Sequence, residues 1–437
     1  MINELVPKLA EFWNKFTHIE KKEKNGHTRI MKEINGGICA PNSFLASGIR
    51  CGIKESASKR DLALVFSQQP CTSAAVFTSN IVQAASVIVS REHGKSGKIR
   101  ALIANSGNAN ACTGQAGLEA ARRMTEMTAE KLGIATEETA VASTGVIGVP
   151  MPIERIEAGM AELAAGITDN GGDAALEAIM TTDTRKKFTA IEFELPGNAS
   201  PVRIGAMTKG SGMIHPNMAT MICVITTDAA INAVMLDKAL RRAVNRSFNR
   251  LTVDGDMSTN DMAIVMANGA AENNLINGEG PAWETFASAL ETVCTTLAKA
   301  MARDGEGATR LISVTVSGAA SEENAAALAR SVAGSSLVKA ACFGADANWG
   351  RVLCALGYAG IPFKPEEASV TFASPAGSLP VFKNGEVLSF SEEKAKTILM
   401  EEEIDIHAIV GNGNCEAVAW GCDLSYDYVK INGDYRS

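Results

Sequence analysis

Lys209-Gly210-Ser211-Gly212-Met213-Ile214-His215-Pro216-Asn217-Met218-Ala219-Thr220-Met221 is the densest polar interruption in this chain. Small residues and a proline lead to Thr220, and an apolar strand candidate, Met221–Thr226, follows at once. Two readings of Thr220 compete. In one it is a β-branched residue that opens a core strand, as threonine commonly does. In the other it is a nucleophile held by a buried strand, with its own amine as general base once the Ala219–Thr220 bond is cut.

Outward from that stretch, helices alternate with strands. Leu118–Leu132, Ile153–Ile167, Met235–Phe248 and Ala282–Ala302 carry apolar residues at helical spacing. Leu62–Phe66, Ala85–Val89, Val202–Met207, Leu311–Val316 and Ala368–Phe372 read as strands. Residues 1–24 have the spacing of an amphipathic helix, running into a charged linker at Glu20–Lys24. No repeat of fixed period interrupts the pattern, which predicts an α/β chain of helices layered over sheets.

Composition narrows the function. With 437 residues, 46% hydrophobic and 21% charged, the chain has the make-up of a globular protein of two or three domains. A net charge of −8 and 5% aromatic residues argue against nucleic acid or an anionic membrane as partner. The charge-free run Gly210–Thr227 holds His215, Pro216 and Asn217, so it is not a membrane span. Ten scattered cysteines without a C-x-x-C pair, and no export signal, lead us to expect free thiols in the cytoplasm and no zinc site. Gly94-Lys95-Ser96 lacks the upstream glycine of a phosphate-binding loop. Asp254-x-Asp256-x-Ser258 begins like a calcium loop but has Thr259 and Val265 where glycine and glutamate belong, so a hydrogen-bonded turn is expected there.

The quoted stretch resembles the self-cleavage motif of the ornithine acetyltransferase family, the glutamate N-acetyltransferases of arginine biosynthesis. The likeness runs in order through Gly36-Gly37-Ile38-Cys39-Ala40-Pro41, Asn105-Ser106-Gly107-Asn108-Ala109-Asn110 and Ser143-Thr144-Gly145-Val146-Ile147-Gly148. It continues through Thr181-Thr182-Asp183-Thr184, Asp254–Asp261, Gly344–Arg351 and the terminal Tyr428–Ser437. The resemblance implies an α/β fold of layered sheets and helices, of the ornithine acetyltransferase and DmpA-like type. It implies a precursor cut into two intertwined chains: an alpha fragment, 35–219, and a beta fragment, 220–437. Residues 1–34 would be an added N-terminal helix and linker.

By the same resemblance the enzyme moves an acetyl group from N2-acetylornithine to glutamate through an ester on Thr220. Thr144 and Gly145 form the oxyanion hole, and Ala219–Thr220 is the cleavage site. Thr182, Lys209, Thr220, Glu306, Asn432 and Ser437 bind substrate, with Thr181 beside them. No metal or bound coenzyme is implied. Some members of the family also take acetyl-CoA, and the residues do not discriminate the two kinds. Two alpha and two beta fragments are the implied assembly. His215 is then structural, because the Thr220 amine is the base.

Blander readings remain open for each residue. Thr181 and Thr182 could be a helix N-cap pair, Lys209 a solvated turn lysine and Glu306 a loop charge. Gly145 could be a plain turn glycine. Lys430-Ile431-Asn432 reads as an edge strand with a frayed end. The rival enzyme class is an N-terminal-nucleophile aminopeptidase or amidohydrolase on a similar fold, which uses water as acceptor. A metabolite-binding protein in which Thr220 only starts a strand is the third.

Overall fold

The computed structural model describes residues 20–21, 29–198, 200–215 and 221–434. Ala219, Thr220 and Ser437 lie outside them, as does nearly all of the helix expected over 1–24. Of the expected linker, Glu20–Lys21 (β1) is a short strand paired antiparallel with Arg29–Ile30 (β2). Lys32–Glu33 (β3) already joins the body of the protein, and the Ile34 N–H donates to the Ala190 carbonyl.

Two sheets form the centre. Phe44–Ile49 (β4), Leu62–Ser67 (β5), Ala101–Asn108 (β7) and Thr139–Val146 (β8) make one, in the order β4–β5–β7–β8. The other contains Thr72–Phe77 (β6), Lys187–Phe193 (β9), Val202–Lys209 (β10), Ile222–Thr227 (β11) and Met262–Ala267 (β12). With β3 its order is β3–β9–β10–β11–β12–β6. Side chains alternate faces along a strand, so each strand feeds two cores. Ala63, Val65, Leu102 and Ala104 of one sheet meet Met207, Ile222, Val224 and Ile264 of the other in a shared interior. The intervening residues turn outward beneath helices. Leu64, Ile103 and Val141 pack under Gly114–Leu132 and Ile153–Ala165. Cys223, Ile225 and Val265 pack under Ala233–Arg246 and Pro281–Arg303. Strands buried on both faces read as continuous apolar runs, which is why β11 and β12 lack polar alternation.

A third sheet follows, built from Leu311–Ala319 (β13), Ser369–Ser374 (β14), Gly377–Lys383 (β15), Glu386–Val387 (β16), Glu403–Ile409 (β17) and Cys415–Cys422 (β18). It carries its own core with Glu322–Gly334 and Trp349–Gly357. Leu311, Trp420 and Cys422 join it to the central core. The architecture is thus α/β in layers, as expected. All ten cysteines are free thiols. Among the described residues no helix is long and apolar enough to cross a membrane.

One strand expectation is overturned. Ala85–Gly94 is a helix, not the strand read at Ala85–Val89. Ala85 and Val89 lie one turn apart on one core, while Val87 packs into a separate cluster with Ala84 and Ala109. Here tertiary burial outweighs the strand preference of the β-branched run Val87-Ile88-Val89.

Topology brings the diagnostic stretch to one place. β10 and β11 are antiparallel neighbours with Lys209 opposite Ile222, so the chain leaves and re-enters the sheet at the same end. β12 runs parallel to β11, which sets Asp261 beside Met221. The Met221 N–H donates to Asp261 Oδ1 at 3.0 Å.

Candidate active site

The C-terminal end of β8 supplies Thr144 and Gly145. Its pairing with β7 is irregular there, with Asn108 facing both Thr144 and Val146. Gly145 has φ +136°, and a Cβ on it would lie 2.3 Å from the Gly107 carbonyl carbon. Only glycine fits such a backbone and so close an approach. Asn260 braces this turn from the other sheet: its Nδ2 donates to the carbonyls of Ala109 (2.6 Å) and Ser143 (2.8 Å).

Lys209 ends β10 and shares the parity of Met207, so it projects into the space between the two sheets. It is buried, not a solvated turn lysine. Its Nζ donates to Thr144 Oγ1 at 3.3 Å. Burial pushes its pKa down, and the Asp183 carboxylate opposes that shift.

Thr181 and Thr182 follow the helix Gly172–Ile179, so the N-cap reading fails. Thr182 Oγ1 and Ser211 Oγ are 2.7 Å apart. Glu306 is tied to the same segment, its N–H donating to the Ser211 carbonyl at 2.8 Å. Glu306 Oε2 accepts from Asn432 Nδ2 at 2.9 Å. Asn432 belongs to a helix, Tyr426–Asp434, which corrects the edge-strand reading of Lys430-Ile431-Asn432. Asn432 Nδ2 also donates to the Tyr428 carbonyl one helical turn back, at 3.1 Å.

Thr144, Gly145, Thr182, Lys209, Glu306 and Asn432 therefore line one cleft, with Thr181, Gly212, Met213 and Ser258–Asn260 between them. Its volume of about 120 Å³ suits a small metabolite better than a drug-sized ligand, which needs roughly 300 Å³ or more. Hydroxyls, a lysine amine and a carboxylate converge there, a polar set that can hold a small molecule bearing charged or hydrogen-bonding groups. Ala219, Thr220 and Ser437 lie outside the described residues.

Several supporting groups carried no role in the sequence reading. Asp183 Oδ1 accepts from the Gly210 N–H (2.7 Å) and from Lys187 Nζ (2.6 Å). Lys187 Nζ also reaches Asp304 Oδ2 at 2.5 Å. Burial alone would raise the Asp183 pKa, but Lys209, Lys187 and the Gly210 N–H together hold it down at about 2. One signal was present: Lys187 sits at the inward parity of Ile191 and Phe193 on a strand whose other inward residues are uncharged.

The Asp254–Asp261 run is a set of hydrogen-bonded turns. Asp254 accepts from the N–H groups of Met213 (2.6 Å) and Ile214 (2.8 Å), in the segment between β10 and β11. Among the described residues no cluster of three His, Cys, Asp or Glu could hold a metal ion. His215 Nδ1 lies 3.2 Å from Thr252 Oγ1 and is not among the residues lining the cleft.

A family model described as the ArgJ family matches residues 45–437. The chain is 52% identical over 408 residues to the arginine biosynthesis bifunctional protein ArgJ of Symbiobacterium thermophilum, covering 93% of this chain and all of the relative. The protein of the same name from Caldanaerobacter subterraneus subsp. tengcongensis is 48% identical over 407 residues, with the same coverage. A crystal structure of the arginine biosynthesis bifunctional protein ArgJ from Bacillus halodurans is 48% identical to this chain. It aligns with 48% of this chain and 97% of its own, with a TM-score of 0.46.

Proposed function

The chain belongs to the ArgJ family, and from that premise we propose that it is a self-cleaving acyltransferase of arginine biosynthesis. It moves an acetyl group from N2-acetylornithine to glutamate. The observation that carries this reading is the convergence of Thr144, Gly145, Thr182, Lys209, Glu306 and Asn432, drawn from distant parts of the sequence, on one small cleft.

In the precursor the Thr220 hydroxyl attacks the Ala219 carbonyl carbon, and the Ala219–Thr220 C–N bond breaks to leave an ester and a free amine. Water opens the ester, giving a carboxylate at Ala219 and restoring the hydroxyl. The new α-amino group, with a reference pKa near 7.7–8.0, accepts a proton readily near neutral pH. In turnover that amine takes the hydroxyl proton as Oγ attacks the acetyl carbonyl, then passes it to the departing ornithine nitrogen. Glutamate enters, its amine attacks the ester carbonyl, and the C–O bond to Thr220 breaks as the amine's proton passes through the Thr220 α-amine to Oγ, releasing N-acetylglutamate. Each attack builds charge on the carbonyl oxygen, which the Thr144 hydroxyl and the Gly145 N–H meet. Glu306, held by Asn432, receives the ornithine ammonium, while Thr182 and Ser437 contact the amino-acid portion.

Strands from before and after residue 219 share one sheet, β10 against β11 and β12 against β6. The alpha fragment ending at Ala219 and the beta fragment 220–437 thus stay joined after cleavage, in an assembly of two of each. The relatives' shared designation as bifunctional extends the proposal to acetyl-CoA as a second donor.

Intact mass and an acceptor assay test this reading together. Wild-type protein should run as two fragments and acetylate glutamate from N-acetylornithine, and Thr220→Ala should be whole and inactive. A fully active, uncleaved chain refutes the mechanism. Release of acetate with no transfer to glutamate would favour the hydrolase alternative.

A further inference from the structure

A buried group of charges lies behind the cleft wall. Lys209 Nζ bonds the Thr144 hydroxyl oxygen. Asp183 has no direct ion pair with Lys209 and acts on it through space: its carboxylate accepts from Lys187, from the N–H of Gly210, the residue after Lys209, at 2.7 Å, and from the N–H of Thr181 at 3.0 Å. Lys187 passes on to Asp304, which accepts from the N–H groups of Thr184 (3.1 Å) and Arg185 (3.2 Å) two residues before Glu306. The side chains of Asp183, Lys187 and Asp304 are at most 2% exposed. A buried charge of this kind persists only when it is paired and hydrogen-bonded.

The direction of the Lys209–Thr144 bond matters for chemistry. An ammonium has three donors and no acceptor, so the Thr144 oxygen must accept from it. The Thr144 proton is then free to point at a second acceptor, which in acyl transfer is the developing oxyanion. A neutral Lys209 would have a lone pair and could draw that proton to itself instead.

The geometry points to Asp183 as a positioning residue of the acyl-transfer site, one that keeps Lys209 a cation and thereby keeps the Thr144 hydroxyl turned toward the oxyanion as a donor. This rests on the acyltransfer reading above. It gives Lys209 a role in transition-state stabilisation beyond any contact with a substrate carboxylate. Besides Asp183, the charged groups that act on Lys209 are Lys187, Asp261 and Glu306, and Lys54 feels the Lys209 charge in turn. Burial and Lys187 both favour loss of the Lys209 proton, and Asp183 is foremost among the groups that oppose it. Burial drives the Asp261 carboxyl strongly toward its neutral form, so Asp261 does little to replace Asp183.

The test is the pH profile of acetyl transfer by the full, self-processed protein. Asp183→Asn keeps the volume and an acceptor for the Gly210 N–H but removes the charge. Its basic limb in kcat should move down by about one pH unit or more, because a lost neighbouring anion lowers an ammonium's pKa. At pH 8 kcat should fall roughly tenfold, in line with a weakened oxyanion donor, while KM for N-acetylornithine changes less than about threefold. In a Lys209→Arg background, whose guanidinium does not titrate, Asp183→Asn should leave the limb in place. An unmoved limb in the lysine background, or an equal shift in the arginine background, overturns the inference. If Asp183→Asn yields no soluble protein, Asp183→Glu carries the test. It keeps the charge and should keep the limb within about 0.3 pH unit while lowering kcat, and a shifted limb there overturns the charge argument. Wild-type protein without acetyl transfer would instead overturn the proposed function itself.

Discussion

Gly212 stands against the Glu306 carboxylate so closely that a Cβ on it would lie 2.3 Å from Oε2. The two are held there by the bond from the Glu306 N–H to the Ser211 carbonyl. The contact is with the tip of a flexible side chain, so a methyl group displaces the carboxylate and leaves the backbone in place. Gly212→Ala should therefore spare stability, with Tm within about 3 °C of wild type. KM for N-acetylornithine should rise about tenfold, the order expected for loss of one charge-assisted hydrogen bond. Steady-state kinetics beside a thermal melt separates the two effects.

Thr144 offers a cleaner probe of transition-state stabilisation. Thr144→Ala removes one oxyanion donor and should lower kcat by about 10² to 10³, with little change in KM. Thr144→Ser keeps the hydroxyl and should stay within about tenfold of wild type. Equal losses in both variants would show that the hydroxyl is not the active feature.

Asn260 ties the two central sheets at the cleft through two donated bonds. Asn260→Ala leaves the Ala109 and Ser143 carbonyls unpaired in the interior, at a cost of about 2 to 4 kcal/mol in denaturant unfolding. Asn260→Asp should do no better, because a carboxylate has no N–H to give. A loss below about 1 kcal/mol for both would mean the carbonyls find other partners.

Asp405 gives a pH prediction away from the site. Burial raises its pKa to about 6, with Lys299 opposing and Glu403 adding to the shift. The folded state thus holds its proton more tightly than the unfolded chain, so this group costs stability as pH rises from about 4 to 6. Asp405→Asn should be more stable than wild type at pH 7, and the difference should vanish below about pH 4. Urea unfolding at both pH values checks the sign.

Local pattern determined much of this protein. Helical spacing marked Ile153–Ile167 and Ala282–Ala302, found as the helices Ile153–Ala165 and Pro281–Arg303, because each must turn one apolar stripe inward. Apolar runs at Val202–Met207 and Met221–Thr226 marked β10 and β11, and motif order picked out the six residues that the cleft brings together. Only the tertiary structure decided the rest. Ala85–Gly94 became a helix through the cores it meets on two sides, which no local window contains. The Lys187–Asp304 ion pair spans 117 residues, and the Asn260–Ala109 bond spans 151. A buried charge is legible in sequence only as an oddity of parity. Its partner is chosen by which strand ends the folded sheets carry to the same place.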